Sequence, residues 1–193
     1  MTPQQACEVI LGALPYPPGA FYGQHEGLNL GAGLIYSGVR QPAFDFEKQR
    51  YVTIEATSYV ITHECDVATE NARPLSDSLI VCPLIPFEAF IEEHGEVDNL
   101  KSLLVEMAKR HVYRAIYLPP LANVSQFGAV LYLNLLTTTH VSAFGPESKA
   151  QAIGAVSGHG LREIDVALQN LLLREKSDRL WGMYPNSTCG VTR

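Results

Sequence analysis

YVTIEATSYVITHECD, at residues 51–66, alternates between apolar and polar side chains and then runs into a cluster of polar residues. The two-residue period of a β-strand places five of its residues on one face: Val52, Ile54, Ala56, Ser58 and Val60. A second apolar run, SLIVC at residues 78–82, is stopped by Pro83. These stretches predict two strands joined by a polar loop over residues 64–77.

The rest of the chain groups its strands and helices instead of alternating them. Helices are expected over residues 3–13, 87–94, 98–110, 147–156 and 161–181, with Thr2, Asp98 and Gly95 as caps. Further strands are expected over residues 34–36, 111–118 and 127–139, and the glycines at 19–33 suit turns. This order predicts an α+β fold, with a mostly antiparallel sheet or a small SH3-like β-barrel and added helices.

Length and composition fit one globular domain. The chain has 193 residues, of which 47% are hydrophobic and 18% charged. We expect a single domain over residues 1–193. It would have a barrel-like core at about 20–145, a helical insertion near 87–110 and C-terminal helices at 147–181. No run of 18 apolar residues occurs, so no membrane span is expected.

The net charge and the cysteines argue against some classes of function. Fourteen Lys and Arg against twenty Asp and Glu give a net charge of −6, which argues against a globally basic nucleic-acid binder. The four cysteines are irregularly spaced and no secretory signal is visible, so we expect reduced thiols in a cytoplasmic protein. Without a dinucleotide-binding glycine motif or a Walker loop, no cofactor is expected.

The closest grouping of chemically reactive side chains lies where the strand at 51–62 ends. His63, Cys65 and Asp66 are the candidate binding residues, and Cys65 with His63 is the candidate catalytic pair. A neighbouring imidazole can activate a thiol as a nucleophile. Alternatively, Cys65 is a small buried hydrophobe and Asp66 caps the turn. Because a carboxylate beside a thiol disfavours the thiolate, we expect Asp66 to order the 64–77 loop and present it to a partner.

Metal binding and phosphate binding have weaker signals. The candidate ligands for a metal are His63, Cys65, Cys82, His111 and Cys189, but only the first two are near each other in sequence. Zinc needs three or four converging ligands, so no metal site is expected. Lys109, Arg110 and Arg114 form a small basic patch. Phosphate binding has its weak signal on the last helices, where residues 147–180 carry five basic side chains against five acidic ones.

Residues 58–63 and 78–85 resemble the two core strands of the PemK/MazF-like SH3-type barrel proteins. The strand that leads to Cys65-Asp66 also resembles a group of uncharacterised bacterial proteins. The first resemblance implies a cytoplasmic toxin or defence protein that cleaves or binds RNA, often as a dimer. That family's catalytic Arg and Thr have no match here: residues 55–57 are Glu-Ala-Thr, and Ile85 and Pro86 have no hydroxyl.

The expected function is therefore a binding or regulatory module of toxin–antitoxin or defence-like type. Its working face would be residues 58–66 and 78–86, and its partner a protein, an RNA or a second copy in a homodimer. The alternatives are a ribonuclease toxin, a thiol hydrolase built on Cys65, and a structural protein that self-associates through its last helix.

The apolar pattern also predicts the core. Buried strand residues are expected to be Val52, Ile54, Val60, Leu79 and Val81. The last helix should pack through Leu161, Ile164, Leu168, Leu171 and Leu172.

Overall fold

The computed structural model describes residues 1–45, 47–68, 77–95, 99–112, 114–121 and 125–173. Within this part of the chain the helices are α1 Pro3–Ala13, α2 Glu64–Val67, α3 Phe87–His94, α4 Leu100–Ala108 and α5 Gly158–Leu173. The strands are β1 Tyr22–Gly23, β2 Leu34–Asp45, β3 Arg50–Val60, β4 Ser78–Pro86, β5 Ala115–Leu118, β6 Ala129–Tyr132, β7 Thr137–His140 and β8 Gln151–Val156. The α+β class is confirmed.

The strands form one antiparallel sheet in the order β1-β8-β2-β3-β4-β6-β5, and β7 also pairs with β4. β6 and β7 follow each other along one edge of β4, separated by a 3-10 turn at Leu133–Leu135. The sequence left two architectures open, an antiparallel sheet and a small SH3-like barrel. The antiparallel sheet is confirmed, and the barrel is not formed, because the strands of the described residues do not close on themselves.

A side-chain hydrogen bond joins β2 and β7, the two strands that would have to pair for the sheet to close into a barrel. β2 and β7 approach each other, and the Thr139 hydroxyl donates to the Arg40 carbonyl at 2.8 Å. No backbone ladder between β2 and β7 occurs in the described residues. The two strands therefore meet through a side chain, and the sheet stays open.

Three hydrophobic clusters hold the sheet and helices together. α1, α3 and α4 pack against β5 and β6, as the buried residues Ile10, Phe87, Leu104, Tyr117 and Val130 show. α5 packs against the cluster that contains Tyr59, Cys82 and Leu131. The third cluster is formed by Val60 of β3 with Leu79 and Val81 of β4, and Leu30, Val67 and Phe144 pack against it.

The core predictions hold in part. Val60, Leu79 and Val81 are fully buried, as expected, whereas Val52 and Ile54 are only half-buried. The two half-buried residues lie where β3 pairs only with β2, so fewer neighbours cover them.

The last helix follows its predicted pattern except at its end. Ile164 is fully buried, and Leu161, Leu168 and Leu171 pack against the same cluster. Leu172 is 72% exposed, which corrects the prediction for that residue. The predicted helical residues 174–181 lie outside the described residues.

Three predicted elements are wrong in type or length. The helix expected at 147–156 is replaced by strand β8, so the C-terminal region is not purely helical. The short strand expected at 34–36 extends to Asp45 as β2. The single strand expected at 127–139 is split into β6 and β7.

The residues predicted to cap the helices are confirmed at two of the helix ends. Thr2 and Gln5 form a reciprocal capping box at the start of α1, with Pro3 in the first helical position. α3 ends before Gly95, as expected. Asp98 lies outside the described residues, and Asn99 precedes α4.

None of the helices in the described residues is long and apolar enough to cross a membrane.

Candidate functional site

The candidate residues at the end of β3 form a single helical turn. His63 lies at the N-terminal end of α2, and its Nδ1 accepts the Cys65 N–H at 3.3 Å. The Asp66 N–H donates to the His63 carbonyl at 2.9 Å. A ring nitrogen that accepts a backbone proton is not available at the same time as a base for a thiol. This geometry favours a structural role for His63 in the turn.

The glycine-rich segment packs directly against the backbone of this turn. A Cβ on Gly31 would lie 2.7 Å from the Glu64 backbone nitrogen, so only glycine allows this approach. Leu30 and Val67 both pack against the cluster of Val60, Leu79 and Val81. The α2 turn is thus anchored by its backbone and by one apolar side chain.

The outward side of the turn carries polar groups. His63, Glu64 and Cys65 are exposed, and Asp66 is half-buried. The exposure of Cys65 corrects the alternative that it is a buried hydrophobe. The start of β4 and the end of β7 lie at the same end of the sheet, where Asp77 approaches His140 at 4.0 Å.

The metal candidates do not converge within the described residues. No group of three or more His, Cys, Asp or Glu side chains there could hold a metal ion. Cys82 is buried, and burial raises the pKa of its thiol to about 12. His111, just beyond α4, pairs with Glu106 of α4 at 2.5 Å. Cys189 lies outside the described residues.

A second feature, which the sequence analysis missed, is a two-stranded hairpin with exposed aromatic rings near its end. Residues 39–45 of β2 and 50–57 of β3 pair with each other, and no other strand of the described residues pairs with them. We call these residues the hairpin arm. Near its end, Phe44 and Tyr51 face each other across the strands, with ring centroids 5.3 Å apart.

These two rings are open to solvent. Tyr51 is 77% exposed and Phe44 is 37% exposed. The turn beyond them is ordered by Asp45, whose carboxylate accepts the backbone N–H groups of Glu47 and Lys48 and pairs with Lys48 Nζ at 2.9 Å. The hydrogen bonds from Lys48 hold the pKa of Asp45 below its usual value. The ring pair is therefore presented on an organised hairpin.

A third feature centres on Arg110, at the end of α4. Its side chain is only 14% exposed, and it donates to Glu163 Oε2 at 3.0 Å. It also donates to the Tyr16 hydroxyl and the Tyr117 carbonyl. The guanidinium lies 5.9 Å from the ring centroids of Tyr16 and Phe21, within cation–π range.

The Tyr16 hydroxyl is largely shielded from solvent. Burial raises the pKa of the Tyr16 hydroxyl, against the opposing effect of the Arg110 charge. His159 packs edge-on against Tyr16 at 4.5 Å, and its Nε2 is buried without a hydrogen-bond partner among the described residues. A cleft of about 390 Å³ opens beside Arg110 and Glu163, along α5. We call it the Arg110 cleft.

The structure thus separates the sequence-predicted candidates. His63, Cys65 and Asp66 stay together on α2, whereas Cys82 and His111 belong to other environments. Lys109 and Arg110 of the basic patch both line the Arg110 cleft. Tyr16 and Glu163 lie 94 and 53 positions from Arg110, and no short motif joins them.

A scan against protein-family models finds no match, and no curated protein matches the chain.

Proposed function

We propose that this protein is a binding and regulatory module that recognises another protein through its hairpin arm. The observation that carries the proposal is the exposed Phe44–Tyr51 pair. Aromatic side chains are enriched at the energetic centres of protein interfaces, where they fill apolar pockets. The partner would therefore offer an apolar depression that accepts two neighbouring rings.

Charge and ring geometry favour a protein over RNA as the partner. Residues 39–57 carry three basic side chains, Arg40, Lys48 and Arg50, against three acidic ones, Asp45, Glu47 and Glu55, so the arm is neutral. Single-stranded RNA binding relies on a basic track and on rings that stack with bases. Here the two rings are inclined by 72° to each other and leave no common flat face.

The α2 turn is the second contact region of this proposal. It presents His63 and Cys65 at the surface, with Asp66 half-buried beside them. A turn that is braced by Gly31 and Val67 loses little conformational entropy when a partner binds. The toxin–antitoxin or defence-like setting and the cytoplasmic location belong to the same proposal, and the resemblance of residues 58–63 and 78–85 supports them.

The test compares Tyr51→Ser with Leu28→Ser, because Leu28 is also exposed, at 56%, and is not one of the residues of the arm. Each tagged protein would be used to recover partners from cells, and the dissociation constant of the recovered protein would be measured by calorimetry. We expect Tyr51→Ser to weaken binding by tenfold or more, since losing an interface anchor costs about 2 kcal/mol. Leu28→Ser should bind like the wild type.

Three results would contradict the proposal. Equal binding by both variants would exclude the arm as the contact. Cleavage of RNA by the purified protein would favour the ribonuclease alternative. Binding of single-stranded RNA that is lost in Tyr51→Ser would make the arm a nucleic-acid surface. If sedimentation shows that the wild type self-associates and Tyr51→Ser does not, the protein partner is a second copy of the chain.

A further inference from the structure

We propose that the outer edge of β3 in the hairpin arm pairs with the same edge of a second copy of this chain, so that two sheets become one. Residues 50–56 of β3 pair with β2, whereas pairing with β4 begins only at Ser58. Among the described residues, the side of residues 50–57 that faces away from β2 has no ladder partner. We call this side the β3 edge. An unpaired strand edge is a template for another strand.

The backbone hydrogen bonds at the end of β3 show which groups point to this edge. The Ile61 N–H donates to the Ile80 carbonyl of β4 at 2.9 Å. The Val60 carbonyl accepts the Gly33 N–H at 3.1 Å, on the opposite side of the strand. In an antiparallel strand, the backbone groups of alternate residues point to the same side. The odd-numbered residues of 51–57 therefore direct their N–H and C=O groups to the β3 edge.

The other edge of the arm is protected, but the β3 edge is not. On β2, Pro42 has no N–H, and the register with β3 shifts at residues 36–39. The Thr139 hydroxyl of β7 also covers the Arg40 carbonyl at 2.8 Å. Proline, bulges and covering contacts are the features that block edge pairing. Residues 50–57 contain neither Pro nor Gly, and five of these eight residues are β-branched or aromatic, which favours a strand.

The side chains of the β3 edge are complementary to themselves in one antiparallel register, which is why the occupant is a second copy. A two-fold axis at Thr53 places this residue opposite its own copy and Val52 opposite Ile54. The same register places Tyr51 opposite Glu55, so that a hydroxyl can donate to a carboxylate. These are stabilising kinds of cross-strand pair, and no like charges face each other.

Burial and charge also favour the approach of two copies. Val52 and Ile54 are only half-buried, so pairing would cover apolar surface that one copy leaves partly open. The chain carries a net charge of −6, but the arm is neutral, with three basic and three acidic side chains over residues 39–57. Two copies would therefore meet through a region in which their charges do not repel.

The pairing would double the surface that is proposed for the partner protein. Phe44 and Tyr51 lie directly opposite each other and so on one face of the arm. A two-fold axis perpendicular to the sheet keeps the ring pairs of both copies on the same face. The dimer would then bind bivalently to a partner with two matching sites. The edge pairing itself uses backbone groups and does not depend on the function proposed for the rings.

The test measures self-association of the full chain by sedimentation and by hydrogen exchange of its amides. We expect a dimer in which the amides at odd positions of 51–57 become protected as the concentration rises. Thr53→Pro removes an N–H that β2 does not use. It should raise the dissociation constant of the dimer about tenfold or more, because each dimer loses two central hydrogen bonds. Thr53→Val keeps the N–H and is the matched control.

Charge variants test the register and leave every backbone group in place. Two copies of Thr53→Lys would bring like charges together on the axis, and so would two copies of Thr53→Glu. Each variant alone should therefore dimerise about tenfold more weakly or worse. A mixture of the two should form a mixed dimer, since opposite charges then face each other. Circular dichroism checks that both variants fold, and this result stands even if Thr53→Pro does not fold.

Four outcomes would overturn the proposal. A wild type that stays monomeric at every concentration would remove the dimer. Equal dimerisation of the wild type, Thr53→Pro and Thr53→Lys would place the interface elsewhere on the chain. Absence of a mixed dimer would exclude the register at Thr53, on which the choice of a second copy rests. A monomeric wild type whose partner protein is lost in Thr53→Pro would show that a strand of that partner occupies the edge.

The function proposed for the rings is tested separately. Tyr51→Ser keeps the backbone groups of the β3 edge, so it should lose the partner protein and still dimerise more tightly than Thr53→Pro. Failure of the ring proposal would appear as unchanged binding of the partner by Tyr51→Ser. Failure of the edge proposal would appear in sedimentation of the wild type, with no partner present.

Discussion

Arg110 donates through Nε to Oε2 of Glu163 at 3.0 Å and so joins the end of α4 to α5 across 53 positions of sequence. Both side chains are largely covered, at 14% and 25% exposure. The pair is therefore shielded from solvent much more than an ordinary surface ion pair. Its contribution to the stability of the helical side can be measured.

Glu163→Gln should destabilise the protein. The amide keeps the shape but leaves the covered guanidinium without its counter-charge, which costs about 1–3 kcal/mol. The free energy of unfolding in urea would measure the change. Glu92→Gln, at an exposed position on α3, should change it by less than about 0.5 kcal/mol. Equal losses in the two variants would contradict a special role for the Arg110 pair.

Leu79→Ala and Ile80→Ala test the centre of the sheet. These neighbours on β4 point to opposite faces, and Leu79 is fully buried while Ile80 is 44% exposed. Removing the buried side chain should cost about 2–5 kcal/mol. The exposed one should cost much less. Denaturant unfolding of both variants gives the comparison, and similar losses would show that β4 does not have one buried face.

Ile164→Ala and Leu172→Ala test the docking of α5. Ile164 is fully buried against the cluster of Tyr59 and Leu131, whereas Leu172 is 72% exposed. We expect a loss of about 2–5 kcal/mol for Ile164→Ala and little change for Leu172→Ala. Thermal unfolding with the wild type alongside would measure both. A large loss at Leu172 would mean that its side chain is covered in solution.

Gly31→Ala should disturb the α2 turn. The added Cβ would lie 2.7 Å from the Glu64 nitrogen, so the turn or the glycine-rich segment must move. We expect a loss of about 1–3 kcal/mol and altered amide chemical shifts at residues 63–67. Gly19→Ala is the control, because a Cβ there meets no atom within 4 Å. Unchanged shifts at 63–67 would show that the two segments are not in close contact.

Alkylation by iodoacetamide between pH 6 and pH 9 tests the thiol-hydrolase alternative, in a Cys189→Ser background. Cys65 is exposed and its neighbour His63 is engaged by a backbone N–H, so we expect its rate to rise steeply with pH. Cys82 should stay unmodified at pH 9, because burial raises its pKa to about 12. Mass spectrometry of peptides separates the sites. Equal rates of Cys65 alkylation at pH 6 and pH 9 would indicate a thiolate nucleophile.

The sequence predicted elements whose determinants are local. The helix at α1 follows from Thr2 and Pro3, and the end of α3 follows from Gly95. The alternation in β3 predicted the burial of Val60 correctly. It could not predict that Val52 and Ile54 belong to an arm with few neighbours, since that depends on where β4 and β8 stop pairing.

The elements that were missed depend on distant parts of the chain. β8 contains Gly154, which looks unfavourable for a strand, yet a Cβ there would lie 2.7 Å from the Leu121 side chain. Pro42 lies within β2 in the hairpin arm, where one strand edge has no ladder partner among the described residues. The site at Arg110 unites side chains up to 94 positions apart, and no spacing rule connects them.

The position of β8 fixes the order in which the sheet can be completed during synthesis. β8 lies between β1 and β2, and the contact of Ser37 with Gln151 joins positions 114 apart. During synthesis, β1 and β2 leave the ribosome long before β8, the strand between them, has been made. Until then, residues 34–37 of β2 have no partner strand on the edge that later pairs with β8. Sheets that depend on such distant pairings form slowly, and a waiting edge can pair with other chains. The last strand of the described residues is therefore the one that covers the edge of β2 that would otherwise be open to other chains.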